Sequence, residues 1–278
     1  MTFLAAAIAA MLGATLASFL DVVADRLPQD QWPTGRSHCP KCGRPLNFID
    51  LIPVFGFLVR GGKCVTCKTP IPRRHIAGEL TLAAAFAAVL LAPGALQIDG
   101  STVAASDPWL IGFRLLLLAV LFGIAVADLR FYIIPDVLSL GLMGLLILAH
   151  ALGAFFAMPY AHILPVWNNA LYGMLFGIGF LGVFSVVSRG GWMGWGDVKL
   201  AAALGLAFGF PAIIFNLAFA FMLGAVVGLL MVGLKIRGMQ DLLPFGPFIV
   251  LGALPFVYGF TIEVYRLFGV ADFVKILM

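Results

Sequence analysis

The sequence predicts an all-α membrane protein with about eight transmembrane helices and a cytoplasmic zinc-knuckle loop between helices 1 and 2. Three observations support this class. Of the 278 residues, 62% are hydrophobic and only 11% are charged, whereas a typical soluble domain has about 45–50% and about 25%. The mean hydropathy is +1.08, and several uncharged stretches are long enough to cross a bilayer. A water-soluble fold cannot bury such an excess of apolar residues.

Composition also excludes other classes. Four cysteines in so long a chain do not make a disulfide scaffold, and 25 phenylalanines with few charges exclude disorder. The net charge of +4 does not indicate a nucleic-acid partner, because the basic residues lie at the ends of apolar runs. A cleaved signal peptide is disfavoured, since the first basic residue, Arg26, follows the first apolar run instead of preceding it. We expect a retained first span with its N-terminus outside.

Windows with few charges locate the spans, because each needs about 20 apolar residues. Residues 137–188 contain no Asp, Glu, Lys or Arg and are long enough for two spans. Residues 200–234 are interrupted at Gly209-Phe210-Pro211, and Pro211 suits the first turn of a new helix. The predicted spans are 1–20, 80–98, 109–127, two within 137–188, two within 200–234 of which the first is short, and one from 242.

The distribution of Lys and Arg orients these spans. Segment 24–76 holds nine of the 17 basic residues, which places it in the cytoplasm. Alternation then puts 97–108 and 158–169 outside, and neither contains Lys or Arg. The predicted organisation is transmembrane helix 1 (1–23), a cytoplasmic tetracysteine loop (24–76) and a membrane domain of seven helices (77–278).

All four cysteines lie in the cytoplasmic loop, as Cys39-Pro-Lys-Cys42 and Cys64-Val-Thr-Cys67. Two such pairs at this separation are the usual layout of a tetrahedral zinc site, and four thiolates leave no open position for catalysis. We therefore predict a structural Zn²⁺ bound by Cys39, Cys42, Cys64 and Cys67. The alternatives are four free thiols in a reducing compartment, or His38, next to Cys39, as a rival ligand.

Three carboxylates lie at the edges of apolar helices, where acids are costly and are functional candidates. Asp128 ends the third span, Asp197 begins the sixth, and Asp136 begins the fourth; the predicted topology puts all three near the cytoplasmic surface. Asp136 follows Pro135, which is also ordinary helix-start chemistry. Arg130 and Lys199 follow Asp128 and Asp197 by two residues, and we interpret them as topology anchors because i and i+2 do not share a helix face.

Two carboxylates in a low-dielectric cleft cannot both ionise easily, so one holds a proton while the other accepts one from water. That is the chemistry of aspartic peptidases. The glycines around Asp197 permit close approach of backbone and substrate or merely form a flexible loop between spans; they are Gly190, Gly191, Gly194 and Gly196. No Lys-Ser/Thr follows them, so they are not a P-loop.

Taken together, these motifs resemble the bacterial prepilin peptidases, the membrane aspartic enzymes of type IV pilus and type II secretion systems. Asp21 stands where that family is expected to have Asn. The resemblance extends in order from residue 13 to about 255 and is carried by Ser18–Val23 with Arg26-Leu27-Pro28, Ser37–Cys42, Arg60–Cys67, Asp128–Arg130 with Ile134–Asp136, Gly194–Lys199 and Pro244–Phe248.

The resemblance implies cleavage of the short basic leader of type 4 prepilins and pseudopilins on the cytoplasmic side of the bacterial inner membrane. Asp128 and Asp197 would be the catalytic pair, supported by Gly194, Gly196, Asp136 and Lys199. Family members with the large cysteine loop also methylate the new N-terminal amine with S-adenosylmethionine, so both activities are expected. Glu79 matches an acidic position of the family and would either hold the substrate amine or cap a helix pair.

Two other functions are compatible with membrane-edge carboxylates. A transporter with an aspartate proton relay is one, although transporters place their sites near the midplane and show inverted repeats. A non-catalytic assembly scaffold with the zinc loop as a docking module is the other. If Asp197→Asn abolishes leader cleavage, that result will argue against transport. A scaffold predicts instead that Asp128→Asn still supports pilus or secretion function.

Overall fold

The computed structural model describes residues 2–29, 31–91, 94–98, 101–156, 158–191, 193–236, 238 and 241–268. Residues 269–278, the end of the predicted membrane domain, lie outside the described part. Within it the chain forms eleven α-helices and one two-stranded sheet. In chain order they are α1 (Thr2–Arg26), α2 (Phe48–Leu51), α3 (Phe55–Val59), α4 (Arg73–Leu91), β1 (Leu96–Ile98), β2 (Ser101–Val103), α5 (Pro108–Phe131), α6 (Asp136–Phe156), α7 (Trp167–Val187), α8 (Trp195–Phe208), α9 (Ala212–Gly233), α10 (Gly246–Val257) and α11 (Thr261–Leu267).

The all-α membrane class is confirmed. Among the described residues, six helices are long and apolar enough to cross a membrane, namely α1, α4, α5, α6, α7 and α9. The two other predicted spans fall on shorter helices, α8 with 14 residues and α10 with 12, which α11 follows. Each predicted span therefore falls on a helix, and the count of eight crossings stays a prediction.

The second predicted span, 80–98, is wrong at both ends. Helix α4 begins at Arg73 and ends at Leu91, and Leu96–Ile98 is strand β1, antiparallel to β2 with Leu96 opposite Val103. A hydropathy window misses the polar first turns of a helix, and here those turns, from Arg73 onward, belong to α4. At the other end, the sequence Pro93-Gly94 is a strong helix breaker.

The chain divides into two compact units. One contains 1–92 and 115–123, and the other contains 93–114 and 124–278. In the first unit, α1 packs along α4 through a face of small residues, which lets two helix backbones approach closely. Those small residues of α1 are Ala6, Ala9, Gly13, Ala14 and Ala17.

The second unit is built around α8. Ten of its 14 residues are buried, including Asp197 near its first turn. Helix α7 packs against α8 at Gly173 and Gly205, where a Cβ on either glycine would lie within 2.5 Å of the other's backbone carbonyl. Helices α6, α9 and α10 also contact α8. Asp197 is therefore held on a central helix with little freedom to move.

Candidate active site and metal centre

Asp128 lies in the last turn of α5 and is buried, with 5% of its surface exposed. The helix ends just after it, because Tyr132 adopts a left-handed conformation and its N–H donates to the Asp128 carbonyl. The Asp128 side chain is held separately: Oδ2 accepts a hydrogen bond from the backbone N–H of Gly246, at 2.9 Å. The entry of α10 thus positions the carboxylate of α5.

Asp197 is the third residue of α8 and is also buried, with 9% exposed. Its Oδ2 accepts a hydrogen bond from the N–H of Gly194, the residue that caps the helix, at 3.2 Å. This is the usual way for an acid to satisfy an orphan N–H at a helix start. Its other oxygen, Oδ1, is buried and has no hydrogen-bond partner among the described residues. One carboxylate oxygen is thus fixed and the other is left for a ligand.

Ile134 lies between the backbones that hold the two acids. A Cβ on Gly196, next to Asp197, would lie 2.9 Å from the Ile134 Cβ, and a Cβ on Gly246 would lie 3.2 Å from the Ile134 Cδ1. The structure therefore brings Asp128 and Asp197 into one buried site, although 68 residues separate them in the chain. The close approach that Gly196 permits is to Ile134, a side chain of the protein itself and not a substrate.

Asp136 and Lys199 form an ion pair, with Nζ and Oδ1 2.6 Å apart. Asp136 opens α6, as expected for an acid in a first turn, and its side chain is 59% exposed. Lys199 lies two residues after Asp197 and pairs with the acid of a neighbouring helix instead. The pair ties the start of α6 to the start of α8. Asp136 is therefore exposed and paired with a base, whereas Asp128 and Asp197 are buried.

The four cysteines form one cluster. Their sulfur atoms all lie within 4.8 Å of one another, and two of the pairs, Cys39–Cys67 and Cys42–Cys64, are 3.7 and 3.9 Å apart. Zinc–sulfur bonds of about 2.3 Å in a tetrahedron place the sulfurs about 3.8 Å apart. The cluster can therefore bind a metal and fits zinc. The imidazole of His38 is directed at the carbonyl of Arg36, 3.4 Å away.

Asp50 joins the two knuckles. Its carboxylate binds Arg44, which follows the first cysteine pair, and Arg60, which precedes the second, each at 2.7 Å. Burial acts to raise the pKa of Asp50, but the hydrogen bond from the Asn47 N–H and the two guanidinium groups outweigh it, so the pKa lies below its ordinary value of 3.8. No motif in the sequence singles out Asp50; its position midway between two cysteine pairs was the available signal.

Glu79 is buried in α4, and its Oε2 accepts a hydrogen bond from the N–H of Val54 at 2.7 Å. Val54 separates α2 from α3 and has a positive φ of 61°. The acid therefore holds the turn of the cysteine loop against α4. Two roles are predicted for Glu79, capping a helix pair and binding a substrate amine. The contact with Val54 resembles capping, and binding of the amine stays a prediction.

Asp21 and His75 make a contact that no motif in the sequence indicates. Oδ2 of the buried Asp21 lies 2.8 Å from Nδ1 of His75, joining the end of α1 to the start of α4. The four histidines are far apart in the sequence, so no metal-ligand spacing singles out His75. The available signal was topological, since consecutive antiparallel spans bring the end of one beside the start of the next.

Comparison with known proteins identifies the class. A family model described as the bacterial peptidase A24 N-terminal domain matches residues 11–92, and one described as the type IV leader peptidase family matches residues 115–229. The second is a family of aspartic peptidases, so the chain is a membrane enzyme of the aspartic peptidase class. No solved structure shows significant similarity.

Curated relatives extend the similarity over nearly the whole chain. A prepilin leader peptidase/N-methyltransferase of Burkholderia pseudomallei is 31% identical, covering 95% of this chain and 88% of the relative. Proteins of the same name from Pseudomonas aeruginosa and Bacillus subtilis are 28% and 30% identical, covering 90% and 82% of this chain and 89% and 83% of theirs. The chain belongs to this bacterial type IV leader peptidase family.

Proposed function

We propose that the chain cleaves the N-terminal leader of type 4 prepilins and pseudopilins by a two-aspartate mechanism and N-methylates the new N-terminal residue. The observation that carries the peptidase half is the convergence of Asp128 and Asp197 in one buried site. Each has one oxygen fixed by a backbone N–H, from Gly246 and Gly194 respectively. Family membership and the names of the relatives support the substrate class.

In this mechanism the two carboxylates share one proton, because two buried like charges cannot both be ionised. The ionised partner takes a proton from a water held between them, and that water attacks the scissile carbonyl. The protonated partner donates its proton to the carbonyl oxygen, which gives a tetrahedral gem-diol. As the C–N bond breaks, the proton gained from water passes to the leaving amine, and one hydroxyl proton of the gem-diol returns to the dyad. No covalent enzyme intermediate forms. The unpartnered Oδ1 of Asp197 is the oxygen suited to the water.

The cysteine loop serves the methyltransferase half. Cys39, Cys42, Cys64 and Cys67 would hold a structural zinc, which stabilises a loop with little hydrophobic core. S-Adenosylmethionine would supply the methyl group. Glu79, whose Oε2 accepts the N–H of Val54 in this loop, would fix the substrate amine through its other carboxylate oxygen. The proposed domains are therefore transmembrane helix 1 (1–23), the tetracysteine loop associated with methyl transfer (24–76) and the transmembrane peptidase domain (77–278).

The proposed location is the bacterial inner membrane, with the N-terminus outside and both activities on the cytoplasmic side. Nine basic residues in segment 24–76 support that orientation. A prepilin carries a basic leader followed by an apolar helix, so a dyad at the cytoplasmic edge meets the junction between the two. The substrate helix enters laterally from the bilayer.

The test is leader cleavage of a prepilin in lipid nanodiscs. We expect no cleavage with Asp128→Asn or Asp197→Asn. The matched control is Asp136→Asn, an aspartate of the same unit whose exposed pair with Lys199 is worth at most about 1 kcal/mol; it should retain cleavage. Methyl transfer from radiolabelled S-adenosylmethionine to a precleaved pilin is measured separately. Cleavage by both dyad variants would show that the assignment is wrong.

A further inference from the structure

Helices α2 and α3 form a compact hairpin, residues 48–59, that exposes large apolar side chains. A Cβ on Gly56 would lie 2.6 Å from the Ile49 carbonyl oxygen, so the two short helices pack backbone to backbone. Their side chains are thereby turned outward: Phe48 is 79% exposed and Leu58 64%. The exposed apolar set is Phe48, Ile49, Leu51, Phe55, Leu58 and Val59. Six such residues in a twelve-residue segment are too many for a surface that faces only water.

The position of the hairpin relative to a membrane helix indicates what covers it. Its central residue, Val54, donates its N–H to Glu79 of α4. Glu79 is six residues after the first residue of α4, or about 9 Å along the axis, and α4 is one of the six candidate spans. The headgroup zone is about 5–8 Å deep on each side of the hydrocarbon core. A hairpin attached at that level of a membrane helix lies at the membrane surface.

The charges of the segment agree with a lipid surface. Asp50 is the hairpin's only charged residue, and its carboxylate is occupied by Arg44 and Arg60. No free acid on the hairpin therefore opposes anionic headgroups. Around it the loop exposes basic side chains, whose charge attracts anionic headgroups over about a Debye length without inserting into the bilayer. They are Arg36, Lys41, Lys63, Lys68, Arg73 and Arg74.

From these contacts we infer that the α2–α3 hairpin is a membrane-interface anchor, which inserts its apolar side chains among the headgroups of an anionic phospholipid bilayer. The Val54–Glu79 hydrogen bond sets its depth, and Asp50 transmits its position to both cysteine knuckles through Arg44 and Arg60. The metal centre is thereby held at a constant height above the bilayer. The anchor does not depend on the proposed catalytic residues.

Photocrosslinking of the full-length protein in nanodiscs of phosphatidylethanolamine and phosphatidylglycerol tests the anchor. A benzophenone amino acid replaces Phe48 or Leu58, with Lys41 of the same loop as the matched control position. Lys41 is exposed like the other two but polar. We expect lipid adducts by mass spectrometry at the first two positions and at least fivefold fewer at Lys41, with zinc content unchanged.

A second measurement uses the wild-type chain and therefore does not depend on any variant folding. A phospholipid with a diazirine in the upper acyl chain is activated, and the labelled peptides are mapped. Labels within 48–59 but not within 36–45 support the anchor. Equal labelling of the two segments, or labelling of neither, would overturn it. In the benzophenone experiment, replacement of lipid adducts by prepilin adducts when prepilin is added would also overturn it. The last outcome would make the hairpin a substrate-binding surface instead.

Discussion

The carboxylate of Asp128 is held by the backbone N–H of Gly246, 2.9 Å away, although the two residues are 118 positions apart in the chain. The bond connects the end of α5 to the first residue of α10. It leaves the other carboxylate oxygen of Asp128 available to a water or substrate. The short apolar helix α10 therefore positions a proposed catalytic residue.

Gly246→Ala should abolish most leader cleavage. The added Cβ would lie 2.7 Å from Oδ2 of Asp128 and 3.2 Å from Ile134, so the carboxylate must move. A shift of about 1 Å costs roughly 100-fold in rate. The measurement is the initial rate of prepilin cleavage in nanodiscs. Gly179→Ala on α7 is the matched control, because nothing lies within 4 Å of its added methyl; equal rates for the two variants would contradict the positioning role.

Asp21→Asn should leave the protein stable, whereas Asp21→Ala should destabilise it. An amide can still hydrogen-bond His75, but alanine leaves the imidazole without the partner that joins α4 to α1. Because the His75 side chain is 33% exposed and can bind water, loss of this hydrogen bond costs about 0.5–1.5 kcal/mol. Thermal unfolding in detergent measures the difference. Methyl transfer should fall more than cleavage in Asp21→Ala, since the pair lies in the unit that carries the cysteines; a larger fall in cleavage would argue against that division of activities.

Asp50→Asn should loosen the cysteine loop at neutral pH by about 1–3 kcal/mol, because both Arg44 and Arg60 lose a charged acceptor. The pKa of Asp50 is lowered on folding from its ordinary value of 3.8. Its stabilising contribution is therefore complete above that value and is lost as the pH falls through the lower folded value. Amide hydrogen exchange of residues 44–60 provides the measurement. The difference between variant and wild type should vanish at acidic pH, and a difference that grows on acidification would have the wrong sign.

Removal of the proposed zinc should impair methyl transfer more than cleavage. The cysteine cluster holds together a loop in the first unit, whereas Asp128 and Asp197 lie in the second. Cys64→Ser removes one buried ligand. Its control is Thr66→Ser, at an exposed position between Cys64 and Cys67. Metal content by mass spectrometry should fall from about one zinc per chain in the control to well below that in Cys64→Ser. A full complement of zinc without Cys64 would contradict the four-cysteine site.

Much of the site could be predicted because its residues belong to short motifs. Cys39 and Cys42, like Cys64 and Cys67, are close by local spacing alone, and the cluster forms as that spacing predicts. Asp197 at the start of a helix and Asp136 in a first turn also follow from local sequence. Partners could not be predicted in the same way. The sequence predicts Lys199 as a topology anchor, and the structure adds an ion pair with Asp136, 63 positions away, that no motif indicates.

By itself the sequence determined the membrane class, the cysteine cluster and the identity of the candidate acids, because hydropathy and motif spacing are properties of single segments. Only the tertiary structure decided that Gly246 holds Asp128, that His75 pairs with Asp21 and that Val54 binds Glu79. It also placed the first turn of α4 at Arg73, outside the apolar window. These contacts depend on how helices pack, and hydropathy does not distinguish one packing of apolar helices from another.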